Sequence, residues 1–159
     1  MMMRMRNAGG GWALLLVVAC AIEDRTPTGT RRDDEAIQRL LVAYARGIEA
    51  GRWEDLRALC WDEATLHLAT PTGNLVFPID SARARLVPQS GPPMEVRILR
   101  SDARQEGDLA AAWLVSGRRP AAAAGARETD WTEHLVLRRI GGEWKILVIA
   151  PANGVRPRT

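Results

Sequence analysis

The run "LLVAYARGIEAGRWEDLRALCWDEATLHL", Leu40 to Leu68, carries a helix, its stop and the beginning of the next elements. Extended back to Ala36, it places Ala36, Ile37, Leu40, Leu41, Tyr44 and Ile48 at helical spacing, with Arg39, Arg46 and Glu49 on the opposite face. Gly51 stands where a C-terminal stop belongs, so one amphipathic helix of about five turns is expected from near Asp33. The segment "RWEDLRALCWDEA" then repeats the pattern with Trp53, Leu56, Leu59 and Cys60 and predicts a second short helix. Tyr44 is the single tyrosine of the chain and sits on the apolar stripe of the first helix. Its hydroxyl is either a working group in a pocket or the polar tip of a core side chain.

Downstream, "TLHLAT" and "NLVFPI" are short strand candidates on either side of a turn at Pro71 to Gly73. "DSARARL" predicts a third short helix with Asp80 as its N-cap. "MEVRILR", "LAAAWLVSG", "TDWTEHLVLRR" and "EWKILVIA" read as strands, the last two joined by a hairpin at "IGG". "AAAAGA", Ala121 to Ala126, reads as an extended loop, with a helical turn as the alternative. In the last strand simple alternation puts Trp144, Ile146 and Val148 on one face and Leu147 and Ile149 on the other, so both faces want cover. One is expected to hold the helices and the other to meet a second subunit. Helices followed by antiparallel strands with long hairpins indicate an α+β domain.

The chain's 159 residues suit one domain, and 47% hydrophobic with 26% charged residues places it among globular proteins. The N-terminus reads as a segment to be removed: Arg4 and Arg6, a glycine-rich hinge, then the apolar run "WALLLVVAC", too short to span a bilayer. Two cleavage readings compete. "VVAC" resembles a bacterial lipobox, in which Cys20 becomes the lipid-modified first residue of a protein anchored in the cell envelope. "ACA", Ala19 to Ala21, fits ordinary signal peptidase and a secreted product. A mis-set start on a cytoplasmic protein is the third possibility. The expected organisation is a signal peptide over 1–20, a tether over 21–32, a domain over 33–152 and a tail over 153–159.

Of the formal charge of +3, Arg4 and Arg6 carry two, leaving +1 on the rest. With no basic run interleaved with aromatics, nucleic acid is not an expected partner. Two cysteines and two histidines far apart give no metal-ligand spacing, and Cys60 in an apolar segment is expected to be a buried structural thiol. Gly141 and Gly142 make a hairpin and not a phosphate cradle, so neither ATP, NAD nor a metal has a handle in the sequence, and no cofactor is expected. There is no G-x-S-x-G motif for a serine nucleophile.

The first stretch, with its tyrosine, Gly51 and the tryptophan–acid turn, together with "EHLVLRRIGGEWKI" near the end, resembles the SnoaL-like branch of the nuclear transport factor 2-like superfamily. The resemblance covers roughly residues 33–152 and implies a cone: three N-terminal helices on a strongly curved, mostly antiparallel sheet, in a scaffold reused for many purposes. Among the members is ketosteroid isomerase, where a carboxylate moves a proton while a tyrosine and a protonated acid stabilise an oxyanion. Alignment on that enzyme puts its tyrosine at Tyr44 and its oxyanion-hole acid at Glu133, while the general base falls on Leu68, which accepts no proton.

Tyr44, Glu133, Trp53, Trp113 and Trp131 are therefore the candidate ligand-binding residues, supplying flat apolar surface and a polar end. Tyr44, Glu133, His67 and Asp130 are the weak catalytic candidates. Alternation on the strand sets His67 opposite Leu68 and Asp130 opposite Glu133. Three functions remain open: binding of a small apolar or aromatic molecule in the cone, as a homodimer; isomerase, cyclase or dehydratase chemistry on a carbonyl compound, with Tyr44 and Glu133 polarising the oxygen; or self-association without ligand.

Overall fold

The computed structural model describes residues 31–87, 94–121, 125 and 127–157. The stretch read as a signal peptide, Cys20 and most of the stretch read as a tether lie outside these residues, as does most of the alanine-rich loop. The elements in order are α1 (Arg31–Ala50), α2 (Trp53–Ala58), β1 (Cys60–Thr70), β2 (Gly73–Pro78), a 3-10 turn at Ile79–Ser81, α3 (Arg83–Leu86), β3 (Met94–Glu106), β4 (Leu109–Pro120), β5 (Thr129–Ile140) and β6 (Glu143–Pro157). One six-stranded sheet results, in the order β2-β1-β6-β5-β4-β3. All neighbours are antiparallel except β1 and β6. The α+β fold expected from the sequence is the one observed.

Helix α1 lies across the concave face of this sheet. Ile37, Leu41 and Tyr44 are fully buried there with Leu114, Leu135, Leu137, Ile146 and Ile149. The helix is tied to the sheet at both ends. Near its start, Asp33 accepts from Arg139 at 2.8 Å, close to the β5–β6 hairpin. Near its end, Glu49 accepts from the Val96 amide at 3.4 Å, close to the start of β3. The glycine turns at Gly107, Gly141 and Gly142, all at positive φ, close the Asp33 end.

Four expectations change. The second helix stops at Ala58, and Cys60 opens a strand, because the Leu59 carbonyl accepts from the Ile146 amide at 2.9 Å and Cys60 pairs with Ile146. Asp80 lies inside the 3-10 turn and caps nothing; its carboxylate accepts a hydrogen bond from Arg57 Nε at 2.6 Å. In β6, Leu137 pairs with Ile146 while Val136 pairs with Val148, so Leu147 is an inserted residue. This bulge resets the alternation and buries Ile149 in place of Val148. The strand also continues to Pro157, taking in most of the stretch read as a tail.

Candidate functional site

Register decides which side chains share the concave face. Leu114 lies opposite Glu133 and Ser116 opposite Trp131, on the face that α1 covers. Tyr44, one turn before the end of the α1 apolar stripe, reaches this pair. Its hydroxyl donates to Glu133 Oε1 at 2.8 Å, and Tyr44 and Glu133 are 0% and 1% exposed. Arg118, two residues before the end of β4, donates to Glu133 Oε2 at 2.5 Å and through Nε to Ser116 Oγ at 3.2 Å. The Arg118 guanidinium rests over the Trp131 ring at 4.9 Å. The Trp131 indole N–H lies near the same carboxylate, close enough to favour its charge, yet makes no hydrogen bond of good geometry.

The electrostatics follow from burial. Loss of water is the largest influence on Glu133 and pushes its carboxyl above the ordinary range, against Arg118, Tyr44 and Trp131, which all favour the charge. Burial, then the Glu133 charge, holds Tyr44 well above the usual phenol value, so its proton stays on and is committed to Glu133. Both Glu133 oxygens are engaged, Oε1 by Tyr44 and Oε2 by Arg118, and burial shifts the carboxyl in the direction that the isomerase resemblance implies. Arg118 is the member that sequence reasoning missed. Its signal was available: Arg118 and Glu133 fall on facing strands, and period-two alternation puts Ser116 and Arg118 on one face.

The other candidates scatter. Trp113 is on the convex face, 43% exposed and stacked on His134 with ring centres 4.6 Å apart, so it does not line the cone. The cause is parity: Trp113 alternates with the buried Ala112 and Leu114. Trp53 is buried in α2 as part of the core. His67 follows the buried Leu66, opposite in facing, and shares a hydrogen bond of 2.9 Å with Thr65. Asp130 pairs with Gly117 in the register that also pairs Trp113 with His134, which puts it with the convex-face set. Leu68, where the isomerase resemblance puts the general base, is half-buried against the core. Neither His67 nor Asp130 therefore shares the concave face with Tyr44 and Glu133. Cys60 is buried, donates its S–H to the Leu56 carbonyl at 3.3 Å, and has its thiol pushed up to about 12, mainly by loss of water.

Among the described residues, open depressions lie away from the polar cluster. A groove of about 800 Å³ runs along the outer side of α1 and α2, past Val42, Gly47 and Leu59. A smaller one of about 350 Å³ sits on the convex face beside Arg100, Arg104 and Trp113. Among the described residues no group of three or more His, Cys, Asp or Glu is placed to hold a metal ion.

No protein-family model matches the chain, and no curated protein matches it in sequence. Solved structures do match in shape. An NTF2-like protein of unknown function from Shewanella baltica superposes with a TM-score of 0.59 at 17% identity, covering 76% of this chain and 93% of its own. One from Pseudomonas putida, also of unknown function, gives 0.65 at 14% identity, covering 80% and 94%. A protein from Streptomyces avermitilis, provisionally named a dehydratase of the NTF2-like family, gives 0.59 at 15% identity, covering 77% and 98%. With helices across the concave face of a six-stranded sheet and a buried polar cluster between them, the chain has the nuclear transport factor 2-like fold.

Proposed function

We propose that this chain is an exported nuclear transport factor 2-like domain, anchored by lipid on Cys20, that binds a small apolar or aromatic molecule in its cone. The observation that supports the reading is the Arg118–Glu133 ion pair, capped by Tyr44 and set on the concave face. A buried ion pair is a poor stabiliser, since apolar residues of equal volume serve a core at least as well. Here it supplies a polar end to an apolar cone, the pattern of a small-molecule site. Carbonyl chemistry has less support. The provisional dehydratase name of one structural neighbour favours it, but a proton-moving group is needed on the concave face and Leu68 occupies that place. The convex face, where Trp113 is exposed on β4, is the surface for a second copy.

Native mass spectrometry of the full chain tests this reading. The expected result is a dimer carrying a small-molecule adduct, weakened by Tyr44→Phe and by Glu133→Gln. A ligand-free dimer that a panel of steroids, polyketides and aromatic acids leaves unshifted would replace ligand binding by self-association. Turnover of a carbonyl compound, abolished by Glu133→Gln, would favour the enzyme. Incorporation of labelled palmitate, lost in Cys20→Ala, is expected for the anchor; equal labelling of the variant would remove it.

A further inference from the structure

We infer that the convex face carries a binding site of its own, a slot between Trp113 and strand β3 that takes a flat aromatic carboxylate. Register places the ring. On β4, Trp113 pairs with His134 of β5 on one side and with Asp102 of β3 on the other. His134 stacks on the indole with ring centres 4.6 Å apart, which supports the ring from the β5 side and leaves its flank toward β3 uncovered. On that flank lies the depression of about 350 Å³, bordered by Trp113, Arg100, Asp102 and Arg104 and completed by Val115 and Thr132. Trp113 remains 43% exposed beside it.

Charge sets the class of ligand. Arg97 and Arg119, farther along the same two strands, are each held by a glutamate. Arg100, Asp102 and Arg104 are exposed and have no hydrogen bond or ion pair among the described residues. Alternation keeps the three on one face, and four residues of strand put the Cα atoms of Arg100 and Arg104 about 13 Å apart, on either side of Asp102. Two guanidiniums against one carboxylate leave a single positive charge, which one carboxylate on the ligand neutralises. A guanidinium forks onto a carboxylate with two N–H donors and also lies along an aromatic face, so either arginine suits both parts of such a ligand. Asp102, in the middle of the slot, repels a second negative charge.

Titration of the full chain with 2-naphthoate, the neutral 2-naphthalenemethanol and the non-aromatic cyclohexanecarboxylate tests the inference. The aromatic acid is expected to bind about tenfold tighter than either other probe, the worth of one charge-assisted hydrogen bond or one stacked ring. The double variant Arg100→Gln, Arg104→Gln should bring the acid down to the level of the alcohol and leave the alcohol unchanged, while Trp113→Leu should weaken both aromatic probes. Asp102→Asn should tighten the acid by about two- to fivefold, opposite in sign to the arginine variant. All four side chains are exposed, so circular dichroism should show each variant folded. A second copy over Trp113 closes the slot, so saturating acid is expected to lower the dimer fraction in light scattering; a rise would overturn the inference. Acid binding that these variants leave unchanged and Tyr44→Phe lowers would overturn it in favour of the cone. Equal binding of all three probes, or no binding of the acid, would overturn it and leave the cone reading to its own test.

Discussion

Tyr44 shows how one hydroxyl changes meaning with its neighbours. In the sequence it sits on a helical apolar stripe; in the fold it donates to a carboxylate that an arginine holds from the other side. Tyr44→Phe should cost about 2 kcal/mol in urea unfolding, the range for a buried hydrogen bond to a charged group. Glu133→Gln should cost more, about 3–5 kcal/mol, because it leaves the Arg118 charge largely buried and unpaired. Equal losses would mean that Arg118 is well solvated. The pH dependence has a definite sign. A carboxyl raised by burial binds its proton more tightly folded than unfolded. Its contribution to stability therefore falls as pH rises from the ordinary carboxylate range through the raised value. Unfolding measured from pH 4 to 8 should show this slope in the wild type and lose it in Glu133→Gln. Cys60, buried and with its thiol pushed up to about 12, should resist a thiol reagent at pH 8 in a Cys20→Ala background until the chain is unfolded.

Among the elements, the contact between α1 and α2 turns on Gly47. A Cβ there would lie 2.7 Å from Leu56 Cδ2 and 2.8 Å from its Cγ, and Leu56 is itself buried. Alanine is the better helix former by about 1 kcal/mol, yet Gly47→Ala should lower the melting temperature, since overpacking costs about 1–3 kcal/mol. A rise would show that Leu56 swings aside freely. Strand β6 offers a second test. Plain alternation makes Val148 the core residue, whereas the bulge at Leu147 buries Ile149. Ile149→Ala should cost about 2–5 kcal/mol and Val148→Ala clearly less; the reverse order would mean that the strand runs without a bulge. These two features were invisible in the sequence for one reason: each depends on a partner in another element, Leu56 of α2 in one case and the β5 register in the other. The α1 helix itself was legible almost to its ends, because its periodicity and Gly51 are local.

For the whole molecule, the convex face presents Trp113, stacked on His134 and exposed, where a second copy is expected. Trp113→Glu should convert a dimer to a monomer in light scattering, with secondary structure unchanged. A variant that stays dimeric would move the interface elsewhere, and a monomeric wild type would remove it. Legible in the chain alone were the α+β class, the long first helix, most of the strands and the candidacy of Tyr44 and Glu133, since all of these rest on local periodicity or on a resemblance carried by contiguous motifs. The tertiary structure alone decided that Trp113 leaves the cone, that Cys60 begins a strand, that Ile149 takes the core place of Val148, and that Arg118 completes the polar cluster. Strand parity and register set those outcomes, and in a sheet a single inserted residue exchanges every side chain beyond it between the two faces.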